Sequence, residues 1–231
     1  MRRWGREEIL VVGDSHAEVF EDPMFRQAFP QYYFHCVVVP GATISGLTNP
    51  KSKTQAMPIF RKGMERSSAR KSIVLLGEVD TGFVIWYRAE KYRLSVDEMF
   101  ERALENYRNF LGELSERFET VCVSTPLPTI VDDQDWGEVA NLRKEIRATQ
   151  RERTDLTLEF NRRMEEYCRE RSIAYLSLDE ESLGADGVVK RELLNRNPTN
   201  HHYDRERYAS MLIRGLRQLP TWENSFSERP I

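Results

Sequence analysis

Ile9-Leu10-Val11-Val12-Gly13-Asp14-Ser15-His16 is the stretch that decides how this chain is read. A short apolar, β-branched run ending in Gly-Asp-Ser reads as a buried strand that closes in a tight turn. Such a turn sets the Ser15 hydroxyl at the carboxyl edge of a sheet, at the first turn of a helix beginning near Ala17. Open α/β sheets bind ligands at that edge, and the amides of a helix start stabilise developing negative charge. Asp14 and Ser15 are also good N-cap residues. The tetrapeptide alone therefore leaves a cap and a nucleophile both open.

Four more apolar runs follow, Tyr33 to Val39, Ser72 to Leu76, Thr120 to Ser124 and Ile173 to Leu178. Helical patterns lie between and after them. Val96 to Phe118 carries an inward stripe from Met99 to Leu114 behind the capping box Ser95-x-x-Glu98. Arg151 to Arg171 and Tyr208 to Leu219 carry further stripes. Nearly continuous hydrophobic strands alternating with amphipathic helices predict a three-layer α/β/α fold on a parallel sheet of five strands in flavodoxin-like order. The polar segment between Gly41 and Met64, with Gly46, Pro50 and Pro58, reads as a loop, and so does Asp132 to Glu138. Residues 1–231 read as one domain, with 221–231 an extended tail.

The composition narrows the classes. Net charge is -3, from 34 basic and 37 acidic residues, which leaves no electrostatic footprint for nucleic acid. No apolar run is long enough for a membrane span, and no apolar core follows the basic Met1-Arg2-Arg3 as in a signal peptide. Cys36, Cys122 and Cys168 are an odd set without CxxC spacing, which predicts reduced thiols and a cytoplasmic protein. The four histidines, His16, His35, His201 and His202, lack a repeating ligand spacing, so neither a metal nor another cofactor is expected.

Three more segments fall after strands or before the last helix: Pro40-Gly41-Ala42-Thr43, Gly77-Glu78-Val79-Asp80 and Asn200-His201-His202-Tyr203-Asp204. A serine after the first strand, backbone donors after the second and third, and a histidine before the last helix meet the needs of acyl transfer: nucleophile, base and oxyanion donors. On these segments the chain resembles the SGNH superfamily, also called GDSL hydrolases, over nearly its whole length. The resemblance implies Ser15 as nucleophile, with its amide and that of Gly41 as oxyanion donors. It implies His202 as base and Tyr208 as the terminal tyrosine of the last block. Two positions depart from the pattern. Val79 stands where the family has an asparagine donor, and Thr199 where it has the aspartate that orients the histidine. Glu78, Asp80 and Asp204, in that order, are the expected substitutes for the acid, with a Ser-His dyad held by a backbone carbonyl as the alternative.

Asp14, His16, Thr43 and His201 are the candidate substrate contacts around this core. His16 also reads as a helix-start residue facing solvent, and His35 as a core or sheet-face residue. Trp86 to Arg93 reads as a solvated loop packed by its aromatics, and the charges from Arg143 to Arg153 as a solvated helix face. Gly13-Asp14-Ser15-His16-Ala17 is similar to SGNH domains associated with O-acetylation of bacterial polysaccharides. The expected function is a serine esterase on an O-acyl ester, plausible substrates being small-molecule or glycan esters such as an acetylated sugar. An O-acyltransferase and a non-catalytic carbohydrate-binding module are the alternatives.

Overall fold

The structure is a computed structural model that describes residues 5–132, 146–197 and 200–223. The described residues form one parallel sheet of β1 (Glu7–Gly13), β2 (Tyr32–Val38), β3 (Lys71–Leu75), β4 (Glu119–Val123) and β5 (Ala174–Leu176), in the order β2-β1-β3-β4-β5. This is the expected flavodoxin-like order, with its switch point between β1 and β3.

Each central strand is buried on both faces. Leu10, Val12, Val74, Leu76 and Cys122 pack under the helices Ala56–Arg66, Val96–Ser115 and Gln150–Glu170. Ile9, Val11, Ile73, Leu75 and Val123 pack on the other side, under Phe20, Phe25 and the helix Arg205–Gln218. Side chains alternate across a strand, so burial on both faces requires the uninterrupted apolar runs seen in the sequence. Trp222 closes the second layer, its ring lying edge-on to those of Phe29 and Tyr32. The rest of the expected tail, 224–231, lies outside the described residues, as do Thr199 and most of 132–138.

Three expectations are corrected. The segment 41–64 holds two helices, Ile44–Leu47 and Ala56–Arg66. Only Ala56, Phe60 and Met64 form the inward stripe of the longer one, and Pro58 falls in its first turn, where a missing N–H costs no intrahelical bond. The aromatic segment is the helix Ile85–Tyr92, ended by Arg93 in the left-handed conformation (φ 54°). Of the charge-rich stretch, 143–145 lie outside the described residues; among the described ones, 146–149 are non-helical and helix starts at Gln150, behind the capping box of Thr149 and Glu152. There Arg153 is buried and donates to the Ile130 carbonyl at 2.7 Å.

Candidate active site

The sheet order brings the carboxyl ends of β2, β1 and β3 side by side. In register, Gly13 is opposite Val38 on one side and Leu75 on the other. Ser15 therefore emerges with the Gly41 segment on one flank and the Gly77–Asp80 turn on the other. Gly13 makes this packing possible, because a Cβ there would lie 2.1 Å from the Leu75 carbonyl oxygen and 2.7 Å from the Ala17 Cβ. Ser15 begins a short 3-10 helix, Ser15–Glu21. Gly41, at φ 70°, and Gly77, at φ 129°, take conformations that favour glycine.

Ser15 Oγ lies 2.8 Å from His202 Nε2, and His202 Nδ1 lies 2.7 Å from Asn200 Oδ1. The same Asn200 oxygen accepts the His202 backbone N–H at 3.0 Å. A backbone N–H can only donate, so the atom facing it is the amide oxygen. The ring nitrogen beside that oxygen must then carry the proton. His202 is thereby held as the Nδ1–H tautomer, with the Nε2 lone pair on the serine hydroxyl. This is the arrangement a general base requires.

Asn200 is the residue that sequence reasoning missed. The His202 ring nitrogens meet Ser15 and Asn200, so among the described residues Asn200 stands where an acid was expected. Asp80 is fully buried and accepts the Ile44 and Ser45 amides at 2.6 and 3.0 Å. It ties the segment after β2 to the turn after β3. Burial pushes its carboxyl up to about 6, against the opposing pull of those amides. Asp204 caps the last helix by accepting the Arg207 N–H at 3.2 Å. Glu78 is buried in the turn after β3, close enough to Tyr203 to raise its phenol further after burial has done so.

His16 is not turned to solvent; it is 3% exposed. Asp14 Oδ1 accepts its backbone N–H at 2.9 Å and faces its Nδ1 at 3.0 Å. Asp14-x-His16 thus repeats the clamp of Asn200-x-His202. The two rings lie 4.5 Å apart between centroids, and His201 packs 4.3 Å from His202. His201 is half-buried, and its carbonyl accepts the Thr129 hydroxyl. Although these histidines show no ligand spacing along the chain, donor atoms of His16, His201 and His202 all lie within 4.8 Å of one another. Thr43 stands at the start of the helix Ile44–Leu47 and makes no side-chain cap. Val79 is half-buried beside Asp80. His35, away from the site, faces Glu8 Oε1 at 2.8 Å on the sheet edge.

Solved structures share this architecture. A GDSL-like lipase from Bacteroides thetaiotaomicron aligns with TM-score 0.56 at 14% identity, over 95% of this chain and 89% of its own. A member of the lipolytic G-D-S-L family from Veillonella parvula aligns with TM-score 0.55 at 14% identity, over 93% and 98%.

The fold is that of the SGNH hydrolases.

A candidate acylhydrolase from Bacteroides fragilis has the same SGNH architecture, with TM-score 0.60 at 13% identity over 95% of this chain and 88% of its own. No protein-family model and no curated protein matches the chain. Among the described residues, no helix is long and apolar enough to cross a membrane.

Proposed function

We propose that this chain is a serine ester hydrolase of the SGNH type. The observation that carries the proposal is the 2.8 Å contact between Ser15 Oγ and a His202 ring whose tautomer Asn200 dictates. Ser15 Oγ attacks the acyl carbonyl as its proton passes to His202 Nε2. The imidazolium then gives that proton to the departing alcohol oxygen, leaving an acyl-serine. Water, deprotonated by His202, hydrolyses the acyl-serine and regenerates the hydroxyl. The amides of Ser15 and Gly41 hold the oxyanion. Val79 supplies no side-chain donor to it, and one such donor is worth on the order of 10²–10³ in rate. Lipase and acylhydrolase activities named for proteins of this fold support ester chemistry.

The test is labelling of the folded protein by a serine-directed fluorophosphonate, alongside hydrolysis of p-nitrophenyl acetate. We expect both in wild type and neither in Ser15→Ala. A folded wild-type protein that is neither labelled nor active overturns the reading in favour of a binding module. The Gly13-Asp14-Ser15-His16-Ala17 motif favours an acetylated sugar as the ester and, in a second reading, a sugar as acyl acceptor. Hydrolysis and transfer share the acyl-serine, and they separate by whether an added sugar acquires the acetyl group or water takes it all.

A further inference from the structure

The hydrolase mechanism uses Ser15, His202 and Asn200 and leaves unexplained a buried histidine clamped to a buried aspartate beside them. We infer that His16, His201 and His202 form a binding site for a divalent transition metal of the zinc class. Three observations point there. His16 and His202 are held in the same way, each Nδ1 on the side-chain oxygen of the residue two before it, at 3.0 and 2.7 Å. With the proton held on Nδ1, Nε2 carries the lone pair of each ring and is the atom that would coordinate. A histidine whose Nδ1–H is fixed by a carboxylate or amide oxygen is the usual supported form of a zinc ligand. Donor atoms of the three histidines lie within 4.8 Å of one another. Zn–N bonds of about 2.0–2.1 Å in tetrahedral geometry need donors about 3.4 Å apart, so a pair of donor atoms at the 4.8 Å limit would have to close by little more than 1 Å. His201 is half-buried on the segment before the last helix and has the most room to move.

Asp14 provides the second-shell charge. Its Oδ1 is on His16, while its buried Oδ2 makes no hydrogen bond among the described residues, so the carboxylate is only partly compensated by them. A cation on the far side of His16 compensates it through the ring. Neutral imidazoles coordinate through lone pairs and release no proton. Ser15 Oγ, 2.8 Å from His202 Nε2, or a water completes the tetrahedron.

The consequence for activity rests on the proposed hydrolase reading; the binding itself does not. His202 Nε2 cannot hold a metal and accept the serine proton at once, so metal binding and hydrolysis exclude each other. The test is titration of the whole, metal-stripped protein with Co²⁺, followed by displacement with Zn²⁺. We expect the intense visible absorption of tetrahedral Co²⁺ to saturate at one equivalent and to vanish on adding Zn²⁺. His201→Gln and Asp14→Asn, each checked for native circular dichroism, should weaken binding about 10-fold or more. In parallel, Zn²⁺ should abolish p-nitrophenyl acetate hydrolysis over the concentration range in which it displaces Co²⁺, and EDTA should restore it. A spectrum that stays that of octahedral aqueous Co²⁺, or equal binding by wild type and both variants, overturns the site. Tetrahedral Co²⁺ with undiminished hydrolysis overturns the exclusion. Tetrahedral Co²⁺ on a protein inactive even when metal-free supports the metal site and refutes the hydrolase reading instead.

Discussion

Removing the Asn200 side chain tests the proposed base most directly. In the resting site its oxygen accepts from a neutral imidazole N–H at 2.7 Å. A neutral hydrogen bond of this kind is worth about 0.5–1.5 kcal/mol net, and one to a charged group about 1.5–3. His202 becomes charged only as Ser15 attacks. The difference, about 1–1.5 kcal/mol, is therefore felt in the transition state alone, and corresponds to about tenfold in rate. Asn200→Ala also releases the ring from the orientation that presents Nε2 to Ser15, and misorientation of a reacting group adds about another tenfold. We expect kcat on p-nitrophenyl acetate to fall by about 10- to 100-fold with KM little changed, the signature of an interaction made in the transition state. Asn200→Asp should do the opposite to the base. A carboxylate about 4 Å from an imidazolium is worth about 1 kcal/mol in water and about 4 at a protein surface. The half-buried site calls for the lower part of that range, which moves the acid limb of the kcat/KM profile up by about one pH unit. Asn200→Ala with a kcat within twofold of wild type, in a natively folded protein, would refute the reasoning and leave backbone alone orienting His202.

Three further outcomes follow from the scaffold. Gly13→Ala should destabilise by about 3 kcal/mol or more in urea unfolding, since the new Cβ would meet the Leu75 carbonyl oxygen at 2.1 Å, and backbone cannot move aside cheaply. Burial raises the Glu8 carboxyl, but hydrogen bonds from Ser68, His35 and Ser67 outweigh it and bring it down to about 2. Its folded value lies below its unfolded one, so Glu8 contributes stability above about pH 4.5 that is lost as pH falls through 2. Glu8→Gln should thus cost about 1–3 kcal/mol at pH 7, with the gap closing in melts toward pH 2. Asp80 has the opposite sign. Burial raises its carboxyl from 3.8 to about 6, so it binds more protons folded than unfolded, and its contribution falls as pH rises from 4 to 6. Asp80→Asn should flatten that decline, while losing about 1–3 kcal/mol at pH 7 because an amide group opposes the N–H of Ile44 or Ser45.

The sequence by itself determined the sheet and the approach to the site. A strand buried on both faces must be apolar throughout, so the runs at Ile9, Ser72 and Thr120 announce their own burial, and Gly13-Asp14-Ser15 announces the turn that follows. The capping box of Ser95 and Glu98 is a local device, and it is present as read. The pairing of Ser15 with His202 was legible only through block order, across a separation of 187 residues. Tertiary structure decided the rest, because a side chain's role depends on what the fold places opposite it. Glu78, Asp80 and Asp204, in that order, were the acids expected to orient the histidine; the fold spends Asp80 on the Ile44 and Ser45 amides and Asp204 on a helix cap. Asn200 took the position because an amide two residues before His202 can reach both its N–H and its Nδ1. An Asx residue two before a histidine was the available signal, and it occurs at Asp14 and His16 as well. What spacing along the chain could not show was that these two clamps, 186 residues apart in Asn200 and Asp14 numbering, would close on one another. Proximity between distant residues is set by strand order and helix packing, which no local pattern encodes.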